Sequence, residues 1–183
     1  GGDDDDTMNV RGTAANNVMR VVFDGVTLTR IAGGAVSNVE FVNLDLEGGT
    51  DTLTYNSPIL PTTTASVTVD LAAGTASGFT SIVGVENATG GTGDDTFIGD
   101  GNNNTFVGAA GIDTYSLAGT TAGATITTGT ATSAEAGTDT LAQIENYIGS
   151  QGNDSILLNG GANLIDGQAG NDTLNGGAGA DTI

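Results

Sequence analysis

The chain has no cysteine, histidine, lysine or tryptophan, and only two prolines, in 183 residues. Each absence excludes something. Without cysteine no disulfide can staple small loops, so another device must hold them. Without cysteine or histidine there is no ordinary zinc site. Serine–histidine triads, thiol nucleophiles and lysine Schiff bases are equally out of reach, so the chain does not read as an enzyme. No apolar run is long enough to span a membrane, and no signal peptide opens the chain. Positive charge is confined to Arg11, Arg20 and Arg30, against 22 Asp and Glu, for a formal net charge of -19. From Ile31 to Ile183 no basic side chain balances the acids. That field repels nucleic acid and anionic lipid and attracts cations.

What is abundant is glycine, 31 residues without the period of three that marks collagen, which implies many tight turns. Mean hydropathy is +0.02, high enough for a core, so disorder is not expected as the working state. The glycines fall into a pattern. Gly90 to Ile98 reads GGTGDDTFI, a full match to G-G-x-G-x-D-x-U-x with U a large apolar residue. Gly108 to Ser116 (GAAGIDTYS), Gly149 to Leu157 (GSQGNDSIL) and Gly167 to Asn175 (GQAGNDTLN) match with only the second glycine replaced. Strict nine-residue spacing runs through 90–98, 99–107 and 108–116, and again through 149–157, 158–166, 167–175 and 176 onward. The Asp-Thr-apolar half recurs elsewhere, at Asp51-Thr52-Leu53 and Asp139-Thr140-Leu141 among others.

A period of nine fits neither an amphipathic helix nor a hairpin series. Six residues of glycine-rich turn and three of strand fit it, and two such units make one full coil. Stacked coils then form parallel ladders about 4.7–4.9 Å apart. The expected fold is all-β, a right-handed parallel β-roll or β-helix solenoid with longer strand inserts. The apolar slots Phe97, Phe106, Tyr115, Ile156, Ile165, Leu174 and Ile183 should point inward. Four regions are expected: 1–89, an irregular solenoid with strand inserts and a degenerate nonamer at its start; 90–116, a nonamer block; 117–148, an insert; and 149–183, a second nonamer block. Residues 18–46 alternate apolar and polar and read as further strands of the same solenoid. A longer repeat is also visible. Ser66–Ala76 resembles Ala124–Ala131, and Val85-Glu86-Asn87 resembles Ile144-Glu145-Asn146, with each Glu nine positions before the Asp of a nonamer. The chain begins and stops within the repeat pattern and reads as an excerpt of a longer protein.

The nonamer has a chemistry. Its glycines permit positive φ and let carbonyls crowd inward, while its Asp supplies a hard anionic oxygen. A shell of 6–8 oxygens is what Ca²⁺ prefers, and Mg²⁺, which wants a near-ideal octahedron, fits less well. In a parallel roll alternate nonamers lie on the same side. Loop 90–95 should stack on 108–113, pairing Asp95 with Asp113. Loop 149–154 should stack on 167–172, pairing Asp154 with Asp172, and loop 158–163 on 176–181, pairing Asn163 with Asp181.

On these residues the chain resembles the RTX (hemolysin-type) calcium-binding repeat family, over about a third of its length. The resemblance implies several Ca²⁺ ions. It also implies that carbonyls from the first four loop positions complete each shell: Gly91, Gly93, Gly108, Ala110, Ser150, Gly152, Gly167, Ala169, Gly176 and Ala178. Loop 99–104 (GDGNNN) departs from the pattern, since Asn104 removes a charge while Asp100 restores one nearby. The family further implies export through a one-step (type I) secretion channel, with folding when calcium is met outside the cell. The long inserts lean toward an extracellular adhesin, fibre or surface-layer segment, stacking on further repeats of the same or a neighbouring chain. The alternative is a folding module attached to a secreted enzyme or toxin.

Blander readings compete. Any one glycine-rich loop is as easily a surface turn, but seven nonamers in register are not. A phosphate loop fails because no helix follows and the loops are acidic where phosphate needs donors. Glu86 and Glu145 form a conceivable catalytic pair, but read better as structural residues of the longer repeat, or as extra cation ligands.

Overall fold

The computed structural model describes residues 5–32 and 34–183. Among them every regular element is a strand, and no helix is long and apolar enough to cross a membrane. The N-terminal strands are β1 (Thr7–Arg11), β2 (Val18–Phe23), β3 (Leu28–Ile31), β4 (Gly34–Ala35), β5 (Phe41–Asp45), β6 (Thr52–Thr54), β7 (Thr68–Asp70), β8 (Thr75–Ala76) and β9 (Ser81–Val83). Next come β10 (Asn87–Thr89), β11 (Thr96–Ile98), β12 (Thr105–Val107) and β13 (Thr114–Ser116). An insert contributes β14 (Ala124–Thr127), β15 (Thr130–Ser133) and β16 (Gly137–Ala142). The chain continues through β17 (Asn146–Ile148), β18 (Ser155–Leu157), β19 (Leu164–Asp166) and β20 (Thr173–Asn175).

The repeat explains the shortness of these strands. Each nonamer offers a triplet, Thr-Phe-Ile, Thr-Phe-Val or Thr-Tyr-Ser, whose β-branched and aromatic side chains favour extended backbone. Glycine turns end the strand on both sides. The middle residue of each triplet points inward and is buried. Successive strands alternate between two sheets, so a strand pairs with the one two nonamers further along. The pairings Asn87↔Thr105, Thr96↔Thr114, Asn146↔Leu164 and Ser155↔Thr173 are all parallel. One sheet of six strands runs β19-β17-β13-β11-β7-β8, and the other of eleven runs β20-β18-β14-β15-β16-β12-β10-β6-β2-β3-β4. The all-β, parallel-rich roll expected from the period is the observed architecture.

Three features differ from the expectation of parallel strands throughout. First, the insert after β13 is an antiparallel meander. β14 reverses through Thr128-Gly129 into β15, which reverses again into β16. The meander is spliced into the eleven-stranded sheet between β12 and β18. Chain order and spatial order therefore separate there: β16 follows β12, whereas β14 carries β18. Second, β7–β8 is an antiparallel hairpin, which accounts for the likeness of Ser66–Ala76 to Ala124–Ala131, since both stretches turn back on themselves. Third, residues 18–46 do not form one run of parallel rungs. β2 is a parallel rung on β6, but β3 and β4 fold back antiparallel at its edge, and β5 joins a separate three-stranded sheet, β1-β5-β9. Coils in this part are nearly twice as long as two nonamers, as the pairings Thr7↔Phe41 and Val18↔Thr52 show. Part of the degenerate nonamer expected at Gly1–Asn9 lies outside the described residues, and its remainder enters β1.

The core is a narrow column. Phe97, Phe106, Tyr115, Ile156 and Ile165 are buried, and the rings of Phe97 and Phe106 lie 5.3 Å apart, those of Phe106 and Tyr115 5.9 Å apart. The aromatics of three successive nonamers thus stack through the interior from alternate sheets. Leu174 is only partly buried, and Ile183, expected inside, follows the isolated Leu164↔Thr182 bridge and is 66% exposed.

Candidate metal-binding turns

Each six-residue turn is shaped by its first and fourth positions. A side chain on Gly90 would drive its Cβ into Asp95 Oδ2, and one on Gly149 would strike Asp154 Oδ2. Glycine at the first position is therefore required for the Asp of the same turn to fold over it. The fourth position takes left-handed backbone in the upper loop of each pair, with φ of 133° at Gly111, 135° at Gly170 and 143° at Gly179. There the chain comes down on the loop beneath: a Cβ on Gly111 would collide with the Gly93 carbonyl, and one on Gly170 with the Gly152 carbonyl.

The three loop pairs expected from the spacing are stacked in the structure. The Asp95 N–H donates to Asp113 Oδ1 at 2.8 Å, the Asp154 N–H to Asp172 Oδ1 at 2.9 Å, and the Asn163 N–H to Asp181 Oδ1 at 3.1 Å. A second bond locks two of the pairs at the fifth position, from Ile112 N–H to Asp94 Oδ1 and from Asn171 N–H to Asn153 Oδ1, both 2.8 Å. Carboxylates also brace their own turns. Asp95 Oδ2 accepts from Gly91 N–H, and Asp154 Oδ2 from Ser150 N–H, each at 2.7 Å. The first-position carbonyls of the upper loops face the lower loops: Gly108 O lies 2.7 Å from where a Cβ on Gly90 would stand, and Gly167 O 3.0 Å from one on Gly149. Gly176 is likewise crowded by the Asp181 carboxylate, which leaves no room for a Cβ there. Gly91, Gly93, Ser150 and Gly152 stand in the lower loops, and Ala110, Ala169 and Ala178 at the third positions of the upper ones.

These carboxylates sit in an unfavourable field. Burial pushes the Asp95 carboxyl up to about 6, against the hydrogen bonds from Val67 and Gly91, and the charges of Asp113 and Asp94 add to the rise. Asp113 is raised for the same reason, burial first, with Glu145 and Asp94 as like charges. Two buried oxygens in these pairs, Asp113 Oδ2 and Asn163 Oδ1, have no hydrogen-bond partner. An unpartnered buried oxygen is costly, and a cation between the loops would relieve it. Among the described residues no three Asp or Glu side chains converge on one point. A bound ion would then draw most of its oxygens from main-chain carbonyls, a donor set that suits Ca²⁺.

Glu86 and Glu145 occupy the Asp slot of the ladder. Each closes a turn half the length of a nonamer's, 84–86 and 143–145, and its longer side chain reaches the neighbouring rung. Glu86 Oε2 accepts from Asp51 N–H at 2.7 Å, and Glu145 Oε2 from Asp113 N–H at 2.9 Å. The two lead into different sheets and do not face each other as a pair. Asp139 and Asp51, which the sequence marks as Asp-Thr-apolar echoes without pairing them to a loop, also stand in this slot. Their shared signal is E-x-G-T-D-T-L, at 47–53 and 135–141. Asp139 Oδ1 accepts from Asn104 N–H at 2.9 Å and Oδ2 from the Tyr115 hydroxyl at 2.5 Å.

Comparison with protein families gives a match to the RTX calcium-binding nonapeptide repeat, in four copies, over residues 83–115 and 148–183. No curated protein matches the chain.

Proposed function

We propose that this chain, which carries RTX calcium-binding nonapeptide repeats, is a calcium-loaded structural segment of a bacterial extracellular surface protein of the adhesin, fibre or surface-layer type. The observation that carries the reading is the stacking of acidic turns in register, with Asp113 Oδ2 buried between two of them and unpartnered. Calcium is the partner this geometry asks for. Asp95, Asp113, Asp154, Asp172 and Asp181, with Asn163, supply side-chain oxygens, and the loop carbonyls supply the rest.

The role is architectural. Where calcium is scarce, as in a cytosol, the chain holds 19 net negative charges with nothing to offset them. Where calcium is plentiful, each ion bridges two turns and lowers the cost of burying their carboxylates. Binding energy then becomes folding energy. An ion at a hundred times its dissociation constant contributes about 2.7 kcal/mol per site. Passage through a type I secretion channel as an unfolded chain, followed by folding outside, is consistent with this linkage. The partners proposed beside calcium are further repeats of the same or a neighbouring chain.

Far-UV circular dichroism of the chain tests the coupling. In chelator a large part of the β signal should be lost, and Ca²⁺ should restore it where Mg²⁺ does so poorly. The same β spectrum in chelator and in calcium would contradict the proposal.

A further inference from the structure

Outside the nonamers, another pair of loops repeats the geometry of the three just described. Loop 12–17 (GTAANN) precedes β2 and loop 46–51 (LEGGTD) precedes β6, and the two strands pair in parallel from Val18↔Thr52. The loops are far apart in the chain, and neither spells the nonamer. Yet Glu47 has φ 66° and Gly49 φ 142°, as Gln168 has 63° and Gly170 135°. A Cβ on Gly49 would meet the backbone of Ala15 at 2.9 Å, the contact that Gly111 makes with Gly93. Thr50 N–H donates to Asn16 Oδ1 at 2.9 Å, the fifth-position bond, and Asn17 N–H to Asp51 Oδ1 at 2.5 Å, the sixth-position bond.

Two further observations point to a ligand. Asp51 is fully buried, and its Oδ2 has no partner, as is true of Asp113 Oδ2 in a nonamer pair. In addition, four oxygens converge on one spot now held by the Asn17 side-chain nitrogen: Thr13 O at 2.9 Å, Ala15 O, Leu46 O at 3.5 Å and Asp51 Oδ1 at 3.0 Å. An amide nitrogen has two hydrogens and can satisfy only two of the four. The three carbonyls belong to the second and fourth positions of the lower loop and the first of the upper. Gly91, Gly93 and Gly108 hold those same positions in the nonamers.

We propose that loops 12–17 and 46–51 form a calcium site, with the carbonyls of Thr13, Ala15 and Leu46 and the carboxylate of Asp51 as ligands. The Asn17 amide turns to offer Oδ1, the orientation Asn163 already has, with its nitrogen bonded to Glu145 O at 2.7 Å. An all-oxygen set selects a hard cation, and one carboxylate in place of two makes this site weaker than the Asp95–Asp113 pair. The loops 99–104 and 134–139 share the sixth-position bond, but there the Tyr115 hydroxyl fills the place on Asp139 Oδ2. The inference rests on the reading that the nonamer pairs bind calcium, and its test separates the two.

Calorimetric Ca²⁺ titration of the whole chain should show Asp51→Asn losing one bound ion, Asp113→Asn losing a different one, and the double variant losing two. Asn17→Asp, which adds a second carboxylate and leaves Asp51 intact, should tighten, at least tenfold, the site that Asp51→Asn loses. If Asp113→Asn loses an ion while Asp51→Asn keeps the full count, the nonamer reading stands and this site does not. If Asn17→Asp leaves every affinity unchanged, the amide is a permanent occupant and the proposal falls, whether or not Asp51→Asn folds. A parent chain that takes up no calcium would overturn the nonamer reading and this one together.

Discussion

The two nonamer blocks and the region before β10 solve the same problem with different means. In the blocks a coil closes within two nonamers, and most strands are only a triplet long. Such a coil encloses little more than one inward side chain per strand. In the N-terminal region a coil takes nearly twice as much chain, and a third sheet, β1-β5-β9, widens the enclosure. Val42, Leu44, Leu46, Leu53, Tyr55, Val67, Val69 and Ile82 are all buried there. The difference teaches where stability resides. On the calcium reading proposed above, a thin coil buries too little apolar surface to offset its ordering entropy and would lean on ions in its turns. A wide coil buries more and leans on them less, though it keeps one turn pair of the same design.

The largest effects should come from the cores, and they should depend on calcium differently. Phe106→Ala empties a place between Phe97 and Tyr115, and Leu44→Ala empties one in the wider coil. Each should cost about 3–5 kcal/mol in denaturant titrations of the calcium-loaded chain. In chelator the Leu44→Ala cost should remain measurable, whereas that of Phe106→Ala should shrink, because the nonamer blocks are already loosened. Equal costs in both conditions would erase the distinction between the regions.

Carboxylates come next. Asp95→Ala and Asp172→Ala should each remove one bound ion and raise the calcium midpoint of folding. Asp70→Ala, in the β7–β8 hairpin where Asp70 Oδ1 accepts from Ala73 N–H, should leave the ion count unchanged. Equal ion losses in all three would mean that the turn register has no bearing on binding.

The smallest effect is on pH. Burial raises Asp95 and Asp139 to about 6, above the ordinary carboxyl value of 3.8, so the calcium-free fold holds these protons more tightly than the unfolded chain does. Their protonation stabilises the calcium-free fold fully below about pH 4, and that contribution is lost as pH rises through 6. In chelator the Tm should therefore be higher at pH 4.5 than at pH 7.5. With calcium present the order should invert, since an ion bound between loops 90–95 and 108–113 must displace the Asp95 proton. A calcium-free Tm that rises with pH across this window would contradict the assignment of the burial cost.

Much of the roll was legible in the sequence, because a strict nine-residue spacing leaves one way to stack. The two-nonamer register, the inward place of Phe97, Phe106 and Tyr115, and the pairing of Asp95 with Asp113 all follow from it. What was not legible breaks the period. The β14–β16 meander reverses the chain at Thr128-Gly129, and nothing in the nonamers on either side records that two extra strands enter one sheet only. The nine-residue offset of Glu86 and Glu145 from Asp95 and Asp154 was legible, but not that their turns are half the usual length, so that a longer side chain does the reaching. The loop before β6 kept the Asp51-Thr52-Leu53 half of the motif but, of its three turn glycines, only the fourth-position one. Its partner loop, ending in Asn16-Asn17, kept neither of these, so only the folded chain brings the two together.

Anomalous scattering from crystals of the calcium-loaded chain tests the central claim most directly. The account predicts calcium peaks between loops 90–95 and 108–113, between 149–154 and 167–172, and between 158–163 and 176–181. Each should lie about 2.3–2.6 Å from the Asp or Asn oxygens and from loop carbonyls. Folded turns at those places with no calcium between them would contradict it.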